Sequence, residues 1–275
     1  MYHRINNYWK IEYEAIVDSN SILLYSKGKI KGEVWPKLKL EEAISKQIEE
    51  LPFILGDIED GKPAISGNEV KGIFRHFISA SLISKGHRIC IQDVKRHVKY
   101  KEDGREYSML PEPNIIKQCS PENPCFVCKW FGTAGYESPL HFSFLVCNET
   151  FKKVASNVVP MIAIDEQYGG ASMGALVSFI GIKGGTKFYG EIDGVNLDNK
   201  IIGAIYDIVK ASEKKFIKFG RLRSRGFGNV IISIKKITKY SFAPFKEEEK
   251  FEGEKLKYFL EKCWNEYIEF ASKPE

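Results

Sequence analysis

Two clusters in this 275-residue chain combine residue types that do chemistry. The first is Gly220-Arg221-Leu222-Arg223-Ser224-Arg225-Gly226-Phe227-Gly228-Asn229-Val230. Its glycines let backbone N–H groups approach an anion closely or adopt positive φ, and arginines two apart on an extended segment share one side. Gly220, Gly226, Gly228, Arg221, Arg223 and Arg225 therefore read as a cradle for a phosphate backbone. A glycine-rich turn with solvated arginines is the plainer alternative. The second cluster is Cys119-x5-Cys125-x2-Cys128. A Cys-x2-Cys turn offers two thiolates to one tetrahedral ion, typically a structural zinc, and Cys119 is near enough in sequence to be a third ligand. The sequence leaves the fourth ligand open among Cys90, His97 and His141, with His97 favoured.

A third group lies near a helix start. Asn68 can cap a helix running to about Ser84, with Glu69 in its first turn and Val70, Phe74, Phe77, Ile78 and Leu82 as its apolar stripe. Lys71, Arg75 and His76 fall outside that stripe, where the N-terminal N–H groups and the helix dipole favour anions. A solvated face is the commoner fate of such residues.

Other elements must position these groups. Trp9 to Tyr25 alternates and then turns fully apolar, as a strand with one buried face does. Leu40 to Leu51 has helical spacing. Leu140 to Val146 reads as a strand, and residues 158–174 as a loop or hairpin leaving a sheet. Leu176–Ile182 and Thr186–Ile192 read as two strands of a hairpin joined by Lys183-Gly184-Gly185. A second helix is expected over 197–211, capped by Asn196 or Asp198, then a strand from Val230 and a helix over 252–271.

This order predicts an α+β fold: a ferredoxin-like antiparallel sheet of the RNA-recognition type, within one domain over 1–275. A basic, zinc-binding insertion is expected at about 85–139 and a projection at 148–174. Forty-one Lys and Arg against thirty-six Asp and Glu leave a net charge of only +5, so a nucleic-acid surface must come from local clustering. No apolar run approaches the roughly 18 residues that span a membrane, and the first residues lack the apolar core of a secretory signal. The expected location is the cytoplasm.

These residues resemble the repeat-associated mysterious protein (RAMP) superfamily of CRISPR systems, and within it the backbone subunit of type III RNA-guided effector complexes. Residues 63–75, Pro-Ala-Ile-Ser-Gly-Asn-Glu-Val-Lys-Gly-Ile-Phe-Arg, look like that family's Pro-x-Ile-x-Gly-Ser-Ser-Leu-Lys-Gly-x-x-Arg. Cys125-x2-Cys128-x2-Phe131-Gly132 is similar to its Cys-x2-Cys-x2-Phe-Gly. Ile164-Asp165-Glu166 stands where it has Ile-Asp-Arg, Gly185-Thr186-x-Phe188 matches its Gly-Thr-x-Phe, and residues 220–228 match its C-terminal glycine-rich loop.

The resemblance implies that Lys71, Arg75, Arg221, Arg223 and Arg225 contact CRISPR RNA. It also implies a thumb at 148–174 that wedges guide from target RNA, and partners that include other effector subunits and further copies of the chain in a filament. In cleaving members an Asp precedes a Pro and two apolar residues and cuts target RNA with a divalent metal such as Mg²⁺. Here the stretch is Glu50-Leu51-Pro52-Phe53-Ile54, so Glu50, Asp57 and Asp60 are the candidate carboxylates. The longer Glu side chain favours the alternative of a non-cleaving structural subunit, since misplacement by about 1 Å can cost on the order of 10²-fold. A further alternative is a metal-independent ribonuclease that matures CRISPR RNA, with His76 as acid or base.

Overall fold

The computed structural model describes residues 5–25, 48–50, 54–55, 60–90, 100–102, 105–107, 115–116, 119–164 and 171–274. In chain order these form β1 (Asn7–Val17), β2 (Ile48–Glu50), β3 (Ile54–Leu55), β4 (Lys62–Ile65) and helix α1 (Gly67–Ser84). The short strands β5 (Ile89–Cys90), β6 (Tyr100–Glu102), β7 (Arg105–Tyr107) and β8 (Ile115–Ile116) precede α2 (Phe126–Phe131). Then come β9 (Leu140–Phe142), β10 (Leu145–Cys147), α3 (Phe151–Val154), β11 (Val159–Ile164), β12 (Ala171–Phe179) and β13 (Lys187–Val195). Helix α4 (Asn199–Glu213), a 3₁₀ turn (Arg223–Arg225), β14 (Val230–Ser241), β15 (Lys246–Phe251) and α5 (Gly253–Ala271) complete the chain.

The main sheet runs β15-β14-β1-β13-β10-β4-β3, with β9 also on β13, and every pairing in it is antiparallel. Period-two alternation puts Trp9, Ile11, Tyr13 and Ala15 of β1 and Phe188 and Ile192 of β13 into the core. Helices α1, α4 and α5 cover that face, with Val70, Phe74, Ile78 and Leu82 of α1 and Ile201, Ile205 and Ile208 of α4 buried. The opposite face carries ion pairs instead: Lys10 with Glu191 (2.8 Å), Lys235 with Glu14 (3.1 Å) and Lys236 with Glu12. Among the described residues no helix is long and apolar enough to cross a membrane.

Several expectations change. Helix α1 is capped by Ser66, whose Oγ accepts from the Glu69 N–H (3.2 Å), and not by Asn68, which is already inside the helix. Asp198 does cap α4, accepting from Ile201 N (3.0 Å). The expected hairpin between 176–182 and 186–192 does not form. β12 pairs with β11 in a separate three-stranded sheet, while β13 joins β1. The chain between them is fixed elsewhere: Ile182 pairs with Leu23, and Gly185 N donates to Val17 O (2.8 Å). Local alternation shows two strands but not which partner each takes, because pairing is settled by long-range burial. Of the helix expected over 40–51, residues 48–50 form β2, parallel to β12; the rest lies outside the described residues. The strand expected over 140–146 is two strands, β9 and β10, both paired with β13.

Phe74 anchors α1 to the sheet. It is 1 % exposed and meets Phe142 edge to face at 5.6 Å. Phe74→Ala is expected to destabilise the chain by about 3–5 kcal/mol, read from equilibrium denaturation with an unchanged m-value.

Candidate nucleic-acid interface and metal centre

Backbone hydrogen bonds anchor the arginine loop. Residues 18–24 run alongside it: Arg221 N donates to Leu24 O (2.7 Å), Gly228 N to Ile22 O (2.9 Å) and Asp18 N to Asn229 O (2.9 Å). Within the loop, Phe219 N donates to Gly228 O (2.8 Å). Ser21 adds a double contact, its Oγ donating to Gly226 O (3.1 Å) and accepting from Asn229 N (3.2 Å). Gly220 and Gly228 sit at φ of 75° and 80°, and a Cβ on either would collide with the carbonyl of Leu24 or Phe219. Only glycine satisfies both demands.

This anchoring bends the loop away from the extended form that its spacing suggests. Leu222 adopts the left-handed region (φ 54°), and Arg223–Arg225 make one 3₁₀ turn closed by Arg225 N to Leu222 O (2.8 Å). With three residues per turn, positions two apart point about 120° apart. The arginines are all exposed but do not form one row. Arg223 lines a cleft of 780 Å³ between the loop and α1, and Arg225 lines a second cleft of 650 Å³ near Ser156 and Asn157. The loop is a ridge between two depressions.

The first cleft is walled by Glu69, Gly72, Ile73, His76, Phe77 and Ala80 of α1, and on the other side by Phe216, Lys218, Gly220 and Arg223. Glu69 ties the walls together: its Oε1 accepts the Gly220 N–H (2.8 Å). Burial pushes its carboxyl above the usual carboxylate range, against the pull of that N–H and of Tyr25. Tyr25 in turn accepts the Ser66 N–H through its hydroxyl (3.1 Å), so one side chain links the pre-loop segment to the helix cap.

Lys71 and Arg75 do not belong to this cleft. At 100° per residue they lie about 170° and 130° around α1 from the centre of the cleft-facing side. Burial, then the neighbouring Arg75 charge, holds the Lys71 ammonium below its usual range. Arg75 reaches toward α2, donating from Nη1 to Gly132 O (2.9 Å) and from Nη2 to Cys128 Sγ (3.3 Å). The helix therefore presents its two basic residues to the cysteine cluster's side and His76 to the cleft.

That cluster is Cys90, Cys119, Cys125 and Cys128, whose sulfurs all lie within 4.8 Å of one another. β5 supplies Cys90, and its pairing with β8 brings the chain back to Cys119. Cys125 is the N-cap residue of α2, and Cys128 falls one turn inside it. A tetrahedral ion with metal–sulfur bonds of about 2.3 Å needs sulfurs about 3.8 Å apart. The Cys90–Cys128 and Cys90–Cys125 separations of 2.9 and 4.0 Å bracket that value. Hydrogen bonding among the sulfurs holds Cys125 well below the thiol range and pushes Cys128 and Cys90 up, the pattern of crowded thiols sharing too few negative charges. A divalent ion would relieve it by ionising them together. Cys125 N also donates to Cys119 Sγ (3.2 Å), and this N–H and Arg75 would orient the sulfurs around a bound ion.

Cys90 thus joins the three cysteines, and the described residues offer four sulfurs to one ion. His97, the residue favoured for that place, lies outside the described residues; His141 is exposed on β9. Among the described residues this is the one group of Cys, His, Asp or Glu able to hold a metal ion. Of the candidate carboxylates, Glu50 pairs in register with Phe179 and Asp60 is exposed in the turn before β4; Asp57 lies outside the described residues. Glu69, Phe216 and Lys218 were not legible as site residues. The alternation Lys215-Phe216-Ile217-Lys218 ahead of Gly220 was the available signal.

A RAMP superfamily model matches residues 52–231, from before β3 to the start of β14, so the chain belongs to that superfamily. No curated protein matches the chain.

Metal analysis of the purified chain should find one ion per molecule, lost in Cys90→Ser and retained in His141→Ala. Chelation should lower Tm by several degrees, because the ion ties Cys90 to α2 across 91–118.

Proposed function

We propose that this chain is a CRISPR RNA-binding backbone subunit of a type III effector complex, holding the guide by its phosphate backbone, with zinc at the four cysteines as a structural crosslink. The observation that carries this is the arginine ridge: three exposed guanidinium groups on a rigid backbone turn beside the cleft along α1, in a chain of the RAMP superfamily. Backbone contacts of this kind bind RNA without reading its sequence, as a guide-holding subunit must. Copies of the chain would lie side by side along one guide, with other effector subunits at the ends.

The β11–β12 hairpin is the counterpart of the thumb that the resemblance implies. Glu50 lies on β2 beside it, in register with Phe179 of β12, which favours target-RNA cleavage near the hairpin as a second activity. A chain that only holds RNA would have the same groove and no cut.

Replacing Arg221, Arg223 and Arg225 together with Gln should weaken binding of single-stranded RNA by at least an order of magnitude near 0.1 M salt. The slope of log affinity against log salt should flatten by about 0.7 for each phosphate no longer neutralised, with Tm unchanged. Unchanged affinity would return the loop to a structural turn.

RNA co-purified with the assembled complex should carry repeat-derived sequence, and its absence would remove the CRISPR reading. Offered complementary RNA with Mg²⁺, the complex should cut it at regular intervals. Full cutting by Glu50→Ala, Asp57→Ala and Asp60→Ala complexes alike would take catalysis away from these carboxylates.

A further inference from the structure

We propose that the 780 Å³ cleft between α1 and the arginine turn is a base-stacking subsite, in which Phe216 receives one unstacked base of a single-stranded RNA. The inference rests on the loop being an RNA-backbone contact and adds what the base beside it does.

Phe216 stands just past the end of α4. The chain leaves the helix through Lys215, whose left-handed backbone (φ 62°) and ion pair with the buried Asp18 fix the exit. Phe216 N then donates to Ala211 O (3.1 Å). Ile217 and Phe219 turn into the core at 2 % and 0 % exposure, while Phe216 is left 77 % exposed. A lone exposed aromatic is ordinary. This one stands at a cleft edge, and the residues around it sort by chemistry.

Cations occupy the loop side, with Arg223 exposed and the Lys218 ammonium held over the turn by donating to Arg223 O (3.0 Å). The α1 wall sets Gly72, Ile73, Phe77 and Ala80 among Glu69 and His76; a Cβ added at Gly72 would meet open space, which leaves room there for a flat ring. At the Gly220 side lies the Glu69 carboxylate, its Oε1 fixed on Gly220 N. A carboxylate repels phosphate, so the cleft suits an uncharged base while the flanking phosphates stay with the arginines. An aromatic face beside a basic track is how single strands are held without sequence preference. His76, on the same wall, offers a ring nitrogen to a base edge.

The test uses the full chain and single-stranded oligouridylate carrying one 2-aminopurine, whose fluorescence is quenched on stacking. Phe216→Ala should weaken binding on the order of 10-fold and relieve the quenching seen with wild type. The salt slope should not change, since every phosphate keeps its cation. Phe216→Trp should keep both affinity and quenching, and Phe216→Leu, apolar but without a ring face, should lose the quenching. Wild-type Tm in each variant, expected at so exposed a position, excludes unfolding. Wild-type affinity and quenching in Phe216→Ala, with the triple arginine variant still impaired, would overturn the stacking subsite alone. So would a loss confined to association with a protein subunit, which would make Phe216 a protein contact. If the wild-type chain binds no RNA, the backbone reading falls and the subsite with it.

Discussion

The backbone of residues 18–24 pressed against residues 219–229 is the contact on which the site depends. Gly220 is where the two segments come too close for any Cβ, Gly228 lies as close to the loop's own Phe219 carbonyl, and both also need positive φ. The Arg221, Gly228 and Asn229 N–H groups are thereby committed to Leu24, Ile22 and Ser21, and the arginine side chains are exposed. A phosphate cradle built from those three N–H groups would compete with these bonds. Guanidinium groups on a backbone that cannot sag do not, and rigidity lowers the ordering cost of binding. Glu69 extends the constraint to α1, so that loop, helix and cleft hold one geometry.

No described helix covers the second face of the sheet, which raises the question of where nucleic acid would lie. Carboxylates of Glu12, Glu14 and Glu191 answer the lysines on that face. These carboxylates, the buried Glu14 among them, lower the positive field that draws a phosphate chain. On the arginine ridge, three guanidinium groups cluster within five residues. The cysteine cluster supports the ridge only indirectly. Through Arg75 it holds the far side of α1 against α2, which leaves the near side of the helix to form the cleft wall.

The parts of the architecture legible in the sequence were those set by local periodicity: β1, α1, α4, α5 and the glycine positions of the loop. Strand partnership was not legible, because Leu176–Ile182 and Thr186–Ile192 look like a hairpin until the long-range pairings of β12 with β11 and β13 with β1 divide them. Three cysteines were evident from spacing. Cys90 was not separable from His97, since it reaches the cluster through the β5–β8 pairing across 91–118. Lys71 and Arg75 were read as RNA contacts from their place near the helix start and from the family motif. Helical phase turns them away from the cleft, and only the alternation around Phe216 hinted that it would stay in water while Ile217 and Phe219 turn inward.

Photo-crosslinking of bound RNA, with the crosslinked peptides identified by mass spectrometry, tests the central claim most directly. Nucleotide adducts should fall on residues 216–228 and on the Glu69–Ala80 face of α1, flanking the arginine ridge. Adducts confined to the open sheet face, at Tyr8, Tyr189 or Tyr240, with none on the ridge or its cleft, would contradict it.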